Sequence, residues 1–65
     1  MASNEGVNLE YAADKARIAA RAVRLLGGGF DGALVLRAAG LEHHRQAKWL
    51  VGIARKVYDR TEPPE

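Results

Sequence analysis

The residues best suited to do chemistry crowd into one short run, Glu42-His43-His44-Arg45-Gln46-Ala47-Lys48-Trp49. Arginine, lysine, glutamine and histidine can reach base edges or phosphates, and here they follow a glycine at position 40 and open a helical pattern. A helix-turn-helix DNA reader needs this layout: a short helix, a tight turn, then a helix whose first turns carry the base-reading groups. His44, Arg45, Gln46 and Lys48 are expected to project from the N-terminal half of the third helix, with Arg37, Arg55 and Lys56 as phosphate contacts. A small DNA-binding regulator is the first function this pattern suggests. Against this reading, the turn lacks a Ser, Thr or Asp cap ahead of the third helix, and Trp49 sits where many recognition helices carry a small or polar side chain.

A second chemistry lies on the same helix. Trp49 is the only tryptophan, and the helical period turns it away from the apolar face. Arg45, Trp49, Ile53, Lys56 and Arg60 form a strip with Gly52 beside it, where a partner backbone could approach closely. Tryptophan and arginine are the residues that most often dominate protein interfaces. This strip suits an acidic protein partner, in an adaptor, inhibitor or antitoxin-like role.

Other chemistries lack their residues. His43 and His44 are adjacent and diverge by about 100° on a helix, whereas a helical metal pair needs i, i+3 or i+4 spacing. Ser3 and Thr61 lie near the ends, and no carboxylate pair spans an expected cleft. Gly27-Gly28-Gly29 is not followed by the Gly-Lys-Ser/Thr of a phosphate loop. No catalytic residue, metal, cofactor or small-molecule substrate is therefore expected.

The elements that must position these residues are three helices. Residues 1–7 read as a flexible lead, 8–60 as the domain and 61–65 as a Pro-containing flexible tail. Asn8 is the expected N-cap of a first helix running from about Leu9 to Leu26, with Gly27 suited to the left-handed position after its end. Asp31 is expected to cap a short, nearly all-apolar second helix, Gly32 to Ala39, which should be the most buried of the three. Gly40 stops it. The third helix is expected to begin near Leu41 or Glu42 and run to about Arg60, burying Ala47, Leu50, Val51, Ala54, Val57 and Tyr58. The pattern predicts a compact all-α domain, long-short-long, with a helix-turn-helix-like second and third helix.

The first helix has one polar stripe, Glu10, Asp14, Arg17, Arg21 and Arg24, and two apolar faces. One carries Leu9, Ala13, Ala16, Ala20 and Val23; the other carries Tyr11, Ile18, Ala22 and Leu25. A surface helix of a monomer normally shows one apolar stripe. The remaining helices can cover one face, so the Tyr11 face predicts a homodimer. A dimer would set two DNA-reading units on successive major grooves about 34 Å apart.

Composition agrees with a small helical domain. A chain of 65 residues buries only about 60% of its unfolded surface, and without cysteine it has no disulfide to add stability. Ten Lys and Arg stand against eight Asp and Glu, and between Lys15 and Lys56 the only acids are Asp31 and Glu42, so an anionic partner is favoured. Neither a signal peptide nor a membrane-length apolar run is visible, which predicts a cytoplasmic protein.

Overall fold

The computed structural model describes residues 5–63, with side chains from Leu9 onward. It is all-α and long-short-long: α1 spans Glu5–Leu25, α2 spans Gly32–Ala38 and α3 spans Ala47–Arg60. The first helix starts earlier than the Asn8 cap implied. Residues 5–8 carry no proline, and Gly6 and Asn8 each cost a helix no more than about 1 kcal/mol, so the helix continues through them. The predicted lead thus falls partly on α1 and partly outside the described residues.

Both interhelical stops match their glycines. At the end of α1, Gly27 takes φ 85°, its N–H donates to the Arg24 carbonyl and the Gly28 N–H donates to the Val23 carbonyl. At the end of α2, Gly40 takes φ 74°, its N–H donates to the Arg37 carbonyl and the Leu41 N–H donates to the Leu36 carbonyl at 2.7 Å. These paired bonds satisfy the last carbonyls of each helix, and the left-handed residue that closes them is one that glycine adopts without a steric penalty. Asp31 caps α2, its carboxylate accepting the Ala33 and Leu34 N–H groups at 3.1 and 3.3 Å.

The core is built from unequal contributions. From α1 come Ala12, Ala13, Ala16, Ala19 and Ala20, whose small side chains let that helix lie close against α3. The bulk comes from Val35 and Leu36 of α2, Leu41 of the following turn, and Leu50 and Tyr58 of α3. Ala47, Val51 and Val57 pack at its margin, so the predicted inner face of α3 is the observed one. The short helix is buried on one side only, since Ala33, Leu34 and Ala38 face outward. Tyr58 closes the lower end. Its hydroxyl donates to the Gly28 carbonyl at 2.7 Å and its ring meets Phe30 edge-on at 5.4 Å.

The largest departure from expectation is the start of α3. Leu41–Gln46 is not helical. The His44 N–H donates to the Leu41 carbonyl, the Ala47 N–H to the His44 carbonyl, and the Gln46 N–H to His44 Nδ1 at 3.0 Å, giving successive turns. The reason lies in the helical period. Extended backward from Ala47 at about 100° per residue, a helix would carry Leu41 about 120° away from Ala47, onto the same outer face as Lys48 and Asp59. It would also place His43 on the core side. Breaking the helix reverses both placements: Leu41 is 7% exposed and buried in the core, and His43 is exposed. Burying a leucine contributes about 1.5–3 kcal/mol, more than the few helical bonds given up, which the turn largely replaces.

Candidate interaction surfaces

The turn and the outer face of α3 hold most of the cations expected to read DNA, but in a changed arrangement. Arg45 and Gln46 are exposed and belong to the eight-residue connection between Ala38 and Ala47, not to a recognition helix. His44 is half-buried, and its Nδ1 is occupied by the Gln46 N–H. Lys48 alone of the expected base-reading group lies in the first turn of α3. Lys56 is exposed on the same outer side. Arg55 bonds Asp59 at 3.1 Å and its guanidinium lies 5.1 Å from the Phe30 ring, so it is already engaged within the fold. Arg37 is drawn away from this group. It lines a groove between α1 and α2 and sits 3.8 Å from Glu42.

The tryptophan strip also changes. Trp49 is 48% exposed, as its place on the period implied. It borders an open groove of about 250 Å³ between α1 and α3, whose other lining residues are Glu10, Ala13, Asp14 and Arg17. Ile53 is half-buried and packs against the core, so it does not lie open beside Trp49. Arg60 borders a second groove further along, of about 510 Å³, with Arg21, Leu25, Val57 and Thr61. Trp49 and Arg60 therefore lie about 16 Å apart along one α1–α3 seam. The seam takes Arg17 and Arg21 from α1, which the sequence showed as a solvated stripe. Only the knowledge of which helix lies beside that stripe turns it into a binding candidate.

Arg24 belongs to the same stripe but plays another part. Its Nε donates to the Thr61 carbonyl at 3.2 Å, its Nη1 donates to the Tyr58 hydroxyl at 3.3 Å, and its guanidinium lies 4.8 Å from the Tyr58 ring. The end of α1 is thereby fastened to the end of α3. Thr61, assigned to a mobile tail, is held further by its hydroxyl, which donates to the Val57 carbonyl at 2.8 Å.

The two faces of α1 divide as their composition implies. The alanine face is buried, and the other is open, with Tyr11 64%, Ile18 69% and Leu25 48% exposed and Ala22 beside them. Leu26, one residue past the helix, is 87% exposed and was not among the expected interface residues. Lys15 lies along this face with its ammonium 5.1 Å from the Tyr11 ring. The face continues into the α1–α2 groove, of about 640 Å³, lined by Ile18, Ala22, Leu26, Ala38 and the two cations Lys15 and Arg37.

Among the described residues, no group of three or more His, Asp or Glu side chains is placed to hold a metal ion. No described helix is long and apolar enough to cross a membrane. Comparison with protein-family models, curated proteins and solved structures finds no match to the chain.

Proposed function

We propose that the protein is a non-enzymatic recognition domain that binds an acidic protein segment along the α1–α3 seam. The observation that carries this is the position of Trp49: half exposed, at the rim of a groove, on a seam that also presents Arg17, Arg21 and Arg60. A half-exposed tryptophan gives a partner an apolar anchor, and Arg21 and Arg60 further along the seam supply charge complementary to carboxylates. The seam has acids of its own: Glu10 and Asp14 line the groove that Trp49 borders, Asp14 pairing with Arg17 at 2.7 Å, and Glu62 lines the groove of Arg60, so the cations that face a partner are Arg21 and Arg60 further along. Short acidic peptides bearing leucine should shift Trp49 emission to the blue. Trp49→Ala and Arg60→Glu should each weaken binding at least about tenfold while the circular dichroism spectrum is kept. Binding unchanged in both variants refutes the proposal.

DNA binding is the second reading, favoured by one observation. The turn and the outer face of α3 expose Arg45, Gln46, Lys48 and Lys56, with the acid Glu42 in the same turn, 3.8 Å from Arg37. With the base-reading side chains on a turn, such a surface supports phosphate contact more readily than base discrimination. A gel shift on random duplex DNA that falls steeply between about 50 and 200 mM salt, and is lost in Arg45→Ala/Lys48→Ala, supports it. A salt-insensitive shift, or none, removes it.

A further inference from the structure

The open face of α1 carries Tyr11, Lys15, Ile18, Ala22 and Leu25 at intervals of four, three, four and three. That is the spacing of a seam between two paired helices. Tyr11 and Ile18 are about two-thirds exposed, so no part of the described chain supplies the second helix. We propose that a second copy of the chain supplies it, packed antiparallel about a two-fold axis at Ile18. This does not rest on what Trp49 binds, although the two surfaces share Arg21 and Leu25.

The order of side chains selects the antiparallel arrangement. With Ile18 opposite Ile18 of the second copy, Tyr11 lies opposite Leu25, and Lys15 lies beside Ala22, where a small residue leaves room for its stem. A parallel pair would instead set Lys15 against Lys15, opposing like charges in the seam, and Ala22 against Ala22, leaving a gap between the larger layers.

The charges select it independently. The stripe Glu10, Asp14, Arg17, Arg21 borders this face along one side, acids first and bases last. A two-fold axis lying across the helices keeps both stripes on the same side of the interface and runs them in opposite directions. Asp14 of each copy, which also pairs with Arg17 of its own chain at 2.7 Å, then meets Arg21 of the other, twice per dimer. Arg21 is exposed and pairs with no acid among the described residues, so it is available for that contact. An axis along the helices would put the two stripes on opposite sides, and the contact would not form. From Tyr11 to Leu25 the seam is about 21 Å long. A single helix pair of that length buries less than a standard interface of about 1,600 Å², the size class of weak, transient association.

The absence of cysteine makes the test clean, since a single introduced thiol is the only one present. On mild oxidation Ile18→Cys should form a disulfide-linked dimer, because residue 18 faces itself across the axis within bridging distance. Tyr11→Cys and Leu25→Cys should each form no disulfide-linked dimer alone and cross-link when mixed. Sedimentation equilibrium of the unmodified chain should approach twice 7.1 kDa at high micromolar concentration. Ile18→Glu, a change at an exposed position, should keep the helical spectrum and weaken the dimer at least about 100-fold, since each dimer loses two apolar contacts and gains two carboxylates in the seam. A 7.1 kDa species at every concentration overturns the proposal. So does self-cross-linking of Tyr11→Cys and Leu25→Cys, which would mark a parallel pair.

Discussion

Gly32 and Gly52 are both helical glycines, yet replacing each with alanine should move stability in opposite directions. A Cβ on Gly32 would lie 2.8 Å from Val51 Cγ1 and 3.2 Å from Cγ2, well inside the 3.5–4.0 Å at which carbon atoms attract. Val51 cannot swing away, because a β-branched side chain in a helix holds essentially one χ1 rotamer. Overpacking of this kind costs about 1–3 kcal/mol. Alanine regains at most about 1 kcal/mol over glycine in a helix, and less at a first helical position such as 32. The net for Gly32→Ala is a loss of about 1–2 kcal/mol. A Cβ on Gly52 meets nothing within 4 Å, so Gly52→Ala keeps the propensity gain of about 0.8–1.0 kcal/mol. In a domain this small, each kcal/mol moves Tm by about 4–8 °C. Thermal melts followed by circular dichroism, at one fixed protein concentration so that any self-association weighs equally, should separate the variants by about 8–20 °C. In a Val51→Ala background the penalty at Gly32 should disappear, giving a coupling of at least about 1 kcal/mol. Equal melts for the two variants, or no coupling to Val51, would refute the close approach of α2 to α3 from which the sign was worked out.

Other expectations can be read by urea denaturation. Asp31→Ala leaves the Ala33 and Leu34 N–H groups without their acceptor and should cost about 1 kcal/mol, while Asp31→Asn should cost little. Tyr58→Phe keeps the ring on Phe30 but removes the bond to the Gly28 carbonyl and the acceptor for Arg24, for a loss of about 0.5–1.5 kcal/mol. Leu50→Ala empties a fully buried position and should cost about 2–5 kcal/mol, a large share of the roughly 3–10 kcal/mol such a chain can have. Trp49→Ala, at a half-exposed position, should cost only about 1–2 kcal/mol; a loss equal to that of Leu50→Ala would place Trp49 in the core.

Much of the fold was legible because local chemistry and tertiary packing agree. Gly27, Asp31 and Gly40 each have one conformational job, and each does it at the predicted place. The inner faces of α1 and α3 followed from the period alone. What the sequence hid is non-local. Nothing near Leu41 announces that its side chain is needed in the core, and that need stops the helix from extending back through Arg45. His43 shows the other half of the same trade, since the period pointed it inward and the turn leaves it outside. Ile53 read as a surface residue because a period gives the direction of a side chain but not the neighbour that covers it. Arg17 and Arg21 looked like solvated charges for the same reason: their stripe gains meaning only when Trp49 is found across the groove. The Tyr11 face was legible as an apolar face. The antiparallel pairing proposed for it could be argued only once the inner and outer sides of α1 were known and the charge stripe could be placed beside that face.

The central claim is that recognition runs through the α1–α3 seam and not through the turn before α3. Chemical-shift mapping on isotope-labelled protein tests it most directly. On adding an acidic, leucine-bearing peptide, the indole N–H of Trp49 and the backbone amides of Ala13, Arg17 and Arg60 should move together and saturate, with Arg45, Gln46 and Lys48 nearly still. An indole that does not respond to the peptide, with duplex DNA instead moving Arg45, Gln46 and Lys48, would contradict it.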